Sequence, residues 1–494
     1  MLVHIMNAIS MTMSTPLPIY VAGKLSNGAT SQPVRSPGNG EIFAHVAWAN
    51  TEQTDQALSA AQDAVEPWAR TSIGDRVMLM HKLRGEVVRN REALREAVMF
   101  EVGKTWAESE EDVDSLADSL EYYADEILRM RPETLPDREG THRHELRFEA
   151  VGVVVAFLAW NFPLLNLGFK LGPALAAGCP IIIKSSPKSP VSAYLIGQLC
   201  EQVGFPPGAV NILCGPDDEV AVRLASSTIP ALLTLIGSAV TGRRIARAGA
   251  SSIKRYSMEL GGNAPVILEP DADLDRAVDV VAGLKFGNAG QICVAPNRVL
   301  VHNSVRAEFA RRIAARAGAV QLGFGRDTDA DMGPVIDDDT VGRLTSLVAD
   351  AQASGARLLA GGGKPSGMQV GSFFAPTVLD DVRPGMTVYE SETFGPIVSI
   401  VGYDETSEAI RLANGTDAGL VAYVFSRDIH AVERMVDCLR FGEVQVNGVK
   451  YAIDLPHGGI GQSGLGHDCS HLALRDYLIT KRVSTDLSAS AGVI

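Results

Sequence analysis

The chain has 494 residues, of which 46% are hydrophobic and 21% charged, a composition typical of a globular protein with several domains and not of a disordered or fibrous one. Its 44 basic and 58 acidic residues give a net charge of -14, which argues against non-specific binding to nucleic acid or to an anionic membrane. Because no apolar run reaches the roughly 18 to 20 residues that span a bilayer, we expect no membrane segment.

The early part of the chain is helical in pattern, over "TEQTDQALSAAQDAVEPWAR", "GDRVMLMHKLRGEVVRNREALREAVMFEVGK" and the acidic "AESEEDVDSLADSLEYYADEILRM". We expect the acidic residues of the last segment to lie on solvated faces. From residue 152 strand-like runs such as "GVVVAFLAW" and "PIIIKSS" alternate with helical stretches. This alternation predicts βαβ units in a parallel sheet, with ligands at the carboxyl ends of its strands.

A second alternating block runs from "PNRVLVHN" to "FGEVQVNG", so the fold class is α/β with two such domains. Between the early helices and the first block lies "THRHELRFEAVG", a polar, alternating segment that favours a projecting strand. Near the C-terminus "GIGQSG" fits the Gly-x-Gly-x-x-Gly pattern. Since no βαβ unit follows it, we interpret it as a flexible loop.

The six cysteines lie at scattered positions without Cys-x-x-Cys spacing. Such usage argues against a disulfide framework or a zinc ribbon and favours the reducing cytoplasm. His467, Cys469 and His471 stand close together in "GHDCSHL", but they lack a fourth ligand, and we expect no metal site there.

Cys293 lies in "KFGNAGQICVAP", where small neighbours would let a substrate and a planar cofactor approach the sulfur. By itself the pattern fits a buried, unreactive cysteine better. Two further stretches change this interpretation. "SMELGGNAPVIL" places Glu259 at a strand end, where a carboxylate can act as a general base, and "LAWNFP" places Asn161 where its amide can stabilise an oxyanion. Taken singly, Glu259 could be a surface carboxylate and Asn161 a turn former.

The chain resembles the aldehyde dehydrogenase superfamily in six segments: "AWNFP", "GSAVTG", "MELGGNAPVIL", "FGNAGQICVAPNR", "SETFGP" and "PHGGIGQSGLG". They occur in the family's order and spacing, and the resemblance runs over nearly the whole chain. It points to the non-acylating branch that includes semialdehyde and lactaldehyde dehydrogenases. The resemblance implies a Rossmann-type cofactor domain, a second α/β catalytic domain and a β-strand oligomerisation arm. It also implies oxidation of a small or semialdehyde-type aldehyde to the acid with NAD or NADP.

Carried over residue by residue, the resemblance makes Cys293 the nucleophile that forms a thiohemiacetal and then a thioester. The Asn161 amide and the Cys293 backbone N–H would hold the oxyanion, and Lys170 matches a lysine that supports this region. Glu259 would activate the water that hydrolyses the thioester. Two alternatives remain open: transfer of the acyl group to CoA, against which Glu259 argues, and a non-catalytic descendant, against which the intact Cys293, Glu259 and Asn161 argue.

The resemblance also assigns the cofactor-binding residues, which are Trp160, Lys184, Pro187, Gly237, Ser238, Gly242, Glu392 and Phe394. The glycine–serine pair and Gly242 match a loop and helix start that take the pyrophosphate, since a helix N-terminus favours negative charge. Pro187 stands where many NAD-preferring members carry a glutamate that repels a 2'-phosphate. With Lys184 and Lys188 nearby, the sequence predicts that both cofactors are accepted, NADP at least comparably to NAD.

By the same resemblance the substrate tunnel is lined by Phe162, Asn166, Phe169, Ile292, Val294, Tyr451 and His457. Phe169 occupies the position at which succinate-semialdehyde dehydrogenases carry a carboxylate-binding arginine, which argues against that substrate. His457 replaces a frequent phenylalanine, and it would either hydrogen-bond a substrate hydroxyl or carboxylate or serve as plain lining.

The domain organisation implied is a cofactor-binding domain over 1–126 and 150–261, a catalytic domain over 262–471, and an arm over 127–149 and 472–494. The arm strand would pair with the C-terminal "YLITKRVSTDL". Because an arm that leaves its own domain exposes sheet edges, we expect a homo-oligomer, a dimer or a homotetramer.

Overall fold

The computed structural model describes residues 15–487; the parts of the predicted domain and arm ranges at 1–14 and 488–494 lie outside the described residues. Within the described range no helix is both long enough and apolar enough to cross a membrane. The elements up to residue 260 are β1 Ile19–Val21, β2 Lys24–Ser26, β3 Thr30–Arg35, β4 Ile42–Trp48, α1 Thr51–Arg70, α2 Ile73–Arg89, α3 Arg91–Val102, α4 Trp106–Glu126, β5 Glu133–Leu135, β6 His142–Ala150, β7 Val154–Phe157, α5 Pro163–Ala177, β8 Ile181–Lys184, α6 Val191–Val203, β9 Val210–Leu213, α7 Val222–Ser226, β10 Leu232–Gly237, α8 Ala239–Gly249 and β11 Arg255–Leu260.

The remaining elements are β12 Pro265–Leu268, α9 Leu274–Phe286, β13 Arg298–His302, α10 Asn303–Ala319, α11 Asp338–Ala353, β14 Arg357–Ala360, β15 Thr377–Asp380, α12 Thr387–Glu390, β16 Ile397–Tyr403, α13 Thr406–Asn414, β17 Ala418–Gly419, β18 Val421–Phe425, α14 Ile429–Cys438, β19 Glu443–Val446, β20 Ile460–Gly461, β21 Gly464–Leu465, α15 Ser470–Asp476 and β22 Leu478–Asp486.

The first large sheet has eight strands in the order β2-β1-β9-β8-β7-β10-β11-β21. Its five central strands run parallel, and the pairs at its edges are antiparallel. β7 and β8 read VVAF and IIIK and are buried at every position. Continuous apolar strands of this kind occur where helices cover both faces of a parallel sheet. The predicted parallel α/β sheet is therefore confirmed.

The second large sheet has seven strands in the order β14-β15-β16-β13-β12-β18-β19. All its neighbouring strands are parallel except β14 and β15. It has its own hydrophobic core, separate from the core of the first sheet. The second α/β block predicted from the sequence is confirmed as well.

The segment "GIGQSG" contributes to two sheets and is not the predicted flexible loop: Ile460–Gly461 forms β20, which pairs with β17, and Gly464 opens β21 at the edge of the first sheet. Gly464 pairs with Glu259 on β11, and Ser463 Oγ donates a hydrogen bond of 2.9 Å to the Gly261 carbonyl. A Cβ on Gly464, whose φ is +139°, would lie 2.0 Å from the Met258 carbonyl oxygen. The prediction was wrong because the glycine serves a close approach of two backbones.

The predicted projecting strand is confirmed as β6, which pairs antiparallel with β22 from Ala150↔Leu478 to His142↔Asp486. The short β5 pairs with the other edge of β6, giving a separate three-stranded sheet. The polar, alternating sequence of β6 fits a strand with only half-buried faces.

The expectation that the acidic residues of α4 are all solvated was wrong. Asp112 is fully buried; its carboxylate accepts hydrogen bonds from the Leu164 and Leu165 amides at the start of α5 and pairs with Lys104. A carboxylate is stabilised at a helix N-terminus because it meets unpaired N–H groups and the positive end of the helix dipole. Asp112 therefore fixes the start of α5.

The packing of α4 on α5 requires small residues. Ser119 Oγ donates to the Gly168 carbonyl at 2.6 Å, and a Cβ on Gly172 would lie 2.6 Å from Ser119 Oγ and 2.7 Å from Tyr123 Cδ2. These distances are below van der Waals contact, so glycine at 172 allows the two helices to approach.

We expect Gly172→Ala to destabilise the fold by about 1 to 3 kcal/mol, because overpacking forces the two helices apart. Gly342 lies in α11 with nothing within 4 Å of its added Cβ, and it provides the matched control: Gly342→Ala should be neutral or stabilising by about 0.5 to 1 kcal/mol through helix propensity. Denaturant unfolding of both variants measures the difference. Equal midpoints for Gly172→Ala and the wild type would contradict the close-approach argument.

Candidate active site

A cavity of about 1470 Å³ is lined by strand ends of both large sheets and by α4 and the start of α5. It brings together most of the sequence-predicted site residues, namely Trp160, Asn161, Phe162, Asn166, Phe169, Gly237, Ser238, Glu259, Ile292, Cys293, Val294, Glu392, Phe394, Tyr451 and His457. Residues that lie far apart in the sequence thus share one wall.

Four predicted residues are not on this wall: Lys170, Lys184, Pro187 and Gly242. Lys170 lies fully buried behind it and pairs with Asp468, which does line the cavity. Gly242 is buried where α8 packs on β11, and its Cβ would meet the Leu260 side chain at 2.9 Å. Its place in the structure is therefore a packing position beside the helix start.

The backbone before Cys293 is held in an unusual conformation. α9 ends at Phe286, and φ is 44° at Asn288, 52° at Ala289 and 71° at Gly290. Left-handed φ at non-glycine residues is costly and persists only where surrounding contacts impose it. Here Glu108 of α4 accepts a hydrogen bond from the Asn288 amide at 2.6 Å.

Asn161 and the cysteine loop are joined by hydrogen bonds. The Asn288 side-chain amide donates to the Asn161 carbonyl at 3.0 Å, and Asn161 Nδ2 donates to the Gln291 carbonyl at 3.0 Å. Asn166 Nδ2 lies 3.4 Å from Asn161 Oδ1. The Asn161 NH2 group is consequently directed at the loop that carries Cys293, with its second hydrogen free for another acceptor.

The Cys293 thiol faces the cavity beside two ionisable groups. A carboxylate oxygen of Glu259, Sγ of Cys293 and a ring nitrogen of His457 all lie within 4.8 Å of one another. Burial, and then the charge of Glu259, raises the pKa of Cys293 to about 12, whereas His457 acts to lower it. A thiol in this setting is held protonated unless a nearby group takes the proton.

Glu259 is only 4% exposed. Its Oε1 has no close hydrogen-bond donor among residues 15–487, the nearest contact being His457 Nε2 at 3.5 Å. An unsatisfied buried carboxylate oxygen beside a thiol can accept a hydrogen bond from a water molecule that enters the cavity.

His457 has a partner that the sequence analysis missed. Its Nδ1 lies 2.6 Å from Glu443 Oε1 at the start of β19, and both side chains are nearly buried. Burial lowers the pKa of His457, but its interactions with Cys293, Glu259 and Glu443 outweigh this and raise its pKa well above the usual value. The available sequence signal was the glutamate that opens the strand in "GEVQV", where polar and apolar residues alternate.

The opposite end of the cavity suits a dinucleotide. Ser238 caps α8, accepting a hydrogen bond from the Thr241 amide at 3.2 Å, and a helix N-terminus favours a pyrophosphate. Glu392 accepts a hydrogen bond from the Gly262 amide at 3.2 Å, and burial, with the charge of Glu259, raises its pKa to about 7. The Trp160 and Phe394 rings meet edge to face at 5.5 Å. The residues present therefore fit a nicotinamide dinucleotide.

Both lysines predicted near the adenine-side ribose are engaged by carboxylates. Lys184 forms an ion pair with Asp217, and Lys188 Nζ lies 2.6 Å from Asp337 Oδ2. The Asp217 side chain is 72% exposed, so a solvent-facing negative charge stands beside Lys184. The prediction from the sequence took account of the positive charges of Lys184 and Lys188 but not of these carboxylates.

One part of the cavity lining, which we call the outer wall, consists of aromatic and acidic side chains. Phe162, Phe169 and Tyr451 face it together with carboxylates of α4. Those carboxylates belong to Glu108, Glu110, Glu111, Asp114 and Asp118. Glu110 and Asp114 are paired with Arg91, whereas burial raises the pKa of Glu111 and of Asp118. Lys104 is held against the Phe162 ring at 3.2 Å and is paired with Asp112, so its charge is neutralised.

Comparisons with known proteins agree with this geometry. Residues 25–483 match the aldehyde dehydrogenase family. The chain is 36% identical to the mitochondrial succinate-semialdehyde dehydrogenase of Arabidopsis thaliana, over 91% of this chain and 85% of that protein. It is 34% identical to the NADP(+)-designated succinate-semialdehyde dehydrogenase GabD of Escherichia coli (strain K12), over 92% and 94%. The NAD+ complex of Staphylococcus aureus betaine aldehyde dehydrogenase superposes with a TM-score of 0.94 at 31% identity, covering 98% of this chain and 97% of that one. The chain therefore belongs to the aldehyde dehydrogenase family.

Proposed function

We propose that this NAD(P)-dependent aldehyde dehydrogenase oxidises a small aldehyde to the carboxylic acid through a covalent bond to Cys293. The observation that carries the proposal is the meeting of Cys293, Glu259 and the Asn161 amide on one wall of a cavity that continues to the capped start of α8. Each of these groups has a separate task in acyl chemistry.

In the first step the Cys293 sulfur attacks the aldehyde carbonyl carbon. The carbonyl oxygen becomes an oxyanion, and the free hydrogen of the Asn161 amide, with the Cys293 backbone N–H, is placed to stabilise it. Lys170 acts from behind this wall by holding Asp468 and the chain around it.

The bound cofactor supplies the hydride acceptor. Ser238 at the start of α8 and Gly237 before it would hold the pyrophosphate, and Glu392 the nicotinamide-side ribose. Trp160 and Phe394 would close the cleft around the ring. These residues would exclude water from the cleft and fix the distance between the cofactor and the Cys293 sulfur.

In the last step water hydrolyses the thioester on Cys293. The unsatisfied Oε1 of Glu259 is placed to take the proton from that water. A carboxylate beside the thiol favours water over CoA as the acyl acceptor, because it supplies the base that an otherwise unreactive water needs.

Two relatives bear names of succinate-semialdehyde dehydrogenases, which supports a small semialdehyde-type substrate. The outer wall narrows the choice of substrate further, because it offers no free positive charge at two of its residues: Phe169 is apolar, and Lys104 is paired with Asp112. Glu111 and Asp118, by contrast, are acidic. Like charges repel in a partly desolvated site. We therefore propose a substrate of semialdehyde size that bears an ammonium group at the end remote from the aldehyde. This group stands either beside the carboxylate of a semialdehyde or in its place.

The domain division at 126/150 and 261/262 is supported by the two separate cores, and the arm by the β5-β6-β22 sheet, whereas Ala473, Leu474 and Tyr477 at the start of its predicted C-terminal part pack in the first core. The open edges of this sheet are suited to pairing with a second copy, so we propose a homo-oligomer, a dimer or tetramer. We also propose a cytoplasmic location, supported by six free thiols.

The proposed roles predict a partial reaction. Glu259→Gln should release one equivalent of reduced cofactor and then stall as the acyl-enzyme, because only hydrolysis needs the base. Stopped-flow absorbance measures the burst, and intact-mass spectrometry places the adduct on the peptide with Cys293. Cys293→Ala is the control and should give neither. Steady turnover of Glu259→Gln within tenfold of the wild type would argue for a different base.

Cofactor preference depends on charge beside the adenine-side ribose. Acceptance of both NAD and NADP stays a prediction, and Asp217 adds a charge that disfavours a 2'-phosphate. Asp217→Asn should therefore raise the NADP/NAD ratio of kcat/KM by about tenfold or more, since a charge-assisted contact from the released Lys184 contributes about 1.5 to 3 kcal/mol. Pro187→Glu should shift the ratio the other way. An unchanged ratio in Asp217→Asn would place the ribose elsewhere.

Substrate preference can be tested with three aldehydes that share a four-carbon chain and differ at its C4 end: 4-trimethylammoniobutanal, butanal and succinate semialdehyde. We expect kcat/KM to fall in that order, because the Glu111 and Asp118 carboxyl groups line the wall, and a cation beside them favours their ionised form whereas a carboxylate opposes it. Glu111→Gln should reduce the ratio of kcat/KM for 4-trimethylammoniobutanal to kcat/KM for succinate semialdehyde. A tenfold preference of the wild type for succinate semialdehyde would refute the proposed charge selection.

A further inference from the structure

Cys293 needs a proton acceptor that the proposed steps do not yet provide. Its thiol lies in a buried setting beside the Glu259 carboxylate, and both influences hold the proton on sulfur. Glu259 itself is reserved for the hydrolytic water. A second base must therefore lie within reach of the sulfur if the thiolate is to form at neutral pH.

His457 is the group that the structure brings there. Its Nδ1 is bound to Glu443 at 2.6 Å, which leaves Nε2 for Cys293 and for Glu259, the latter at 3.5 Å. An imidazole that bonds a carboxylate through one nitrogen is fixed in orientation and tautomer, and its other nitrogen becomes more basic. Thiol, imidazole and carboxylate thus form a chain at the cavity wall.

We propose that His457 is a catalytic residue that takes the thiol proton of Cys293, and that Glu443 is the positioning residue that orients the imidazole and balances its charge. The proposal rests on the proposed function only in using Cys293 as the nucleophile. It gives His457 a task beyond either role expected from the sequence, which were a substrate contact or plain lining.

The proton and electron pairs balance as follows. The S–H bond of Cys293 breaks, its proton forms an N–H bond at His457 Nε2, and the sulfur lone pair forms the C–S bond with the aldehyde carbon, whose oxygen becomes the oxyanion. The C–H bond of this carbon then breaks, its electron pair leaves as hydride, for which NAD or NADP would be the acceptor, and the C=O bond of the thioester forms from the oxyanion. When water attacks the thioester, Glu259 takes a proton from that water and the C–S bond breaks. The departing sulfur then regains the proton from His457, while the proton on Glu259 passes to solvent.

The groups that face His457 from the elements around it are Glu443, Glu259, Cys293, Tyr451, Tyr423, Asp468 and Cys469. Burial raises the pKa of both tyrosines and of Cys469, so these three remain neutral at physiological pH. Asp468 is paired with Lys170. The titration between the thiol and the imidazole is therefore set by the two glutamates.

The test measures thiolate directly, without aldehyde or cofactor. The rate at which iodoacetamide alkylates Cys293 is followed against pH by peptide mass spectrometry in the wild type and in His457→Phe. In the wild type we expect the lower alkylation midpoint of the two proteins, because the imidazolium stabilises the thiolate. In His457→Phe the midpoint should rise by at least about two pH units, and alkylation at pH 7 should slow at least about tenfold.

Two further variants separate chemistry from folding. Glu443→Gln should give an intermediate midpoint, because the imidazole keeps a hydrogen-bond partner but loses its counter-charge. The double variant His457→Phe/Glu443→Gln should match His457→Phe in its midpoint, and it removes the Glu443 carboxylate that the phenyl ring would otherwise leave without its partner. The exposed Cys438 gives an internal reference rate in every sample, and labelling of the buried Cys200 reports unfolding.

Equal midpoints and equal pH 7 rates in the wild type, His457→Phe and the double variant would overturn the proposal. A lowered stability with an unmoved midpoint would do the same, since it would mark a structural role only. Because the alkylation assay needs no substrate, a shifted midpoint combined with failure of the Glu259→Gln burst would refute the proposed function and leave the proton acceptor in place.

Discussion

The site depends on one backbone constraint, the left-handed conformation at Asn288, Ala289 and Gly290. Gly290 adopts it freely and asparagine tolerates it better than most residues, but Ala289 does not favour it, and a non-glycine position of this kind costs about 1 to 3 kcal/mol. The cost is offset by bonds from outside the loop, from Glu108 and from the Asn161 carbonyl. The same bonds that hold the turn therefore set the position of the nucleophile relative to the amide that faces it.

The two helices that bear these groups are themselves locked together. Asp112 holds the first amides of α5 while Ser119 and Gly172 let α4 lie close against it. Movement of α4 would shift Glu108 and the start of α5 together, and with them both sides of the cysteine loop. A site whose supports share rigid elements keeps its geometry better than one built on separate loops.

The sequence was informative where local pattern decides the structure. Apolar runs such as VVAF and IIIK predicted buried parallel strands, and the resemblance to aldehyde dehydrogenases placed Cys293 and Glu259 in one site, where both line the same cavity. It failed where the deciding partner is distant. Gly464 forms a sheet edge only because Met258 and Glu259 lie beside it. In the same way, Glu443 matters through its contact with His457, and Asp217 through its ion pair with Lys184. No local period encodes such pairings, which depend on contacts over many residues.

The C-terminal strand edge at Gly464 has a consequence for biosynthesis. β11, which carries Glu259, gains its last neighbour only when residues some two hundred positions later have been made, and His457 reaches Cys293 by the same late closure. Until that closure the cysteine of a growing chain has no imidazole beside it. A chain cut short before His457 would therefore lack both the imidazole beside the thiol and the residues of α15 and β22 that complete the core of the first sheet.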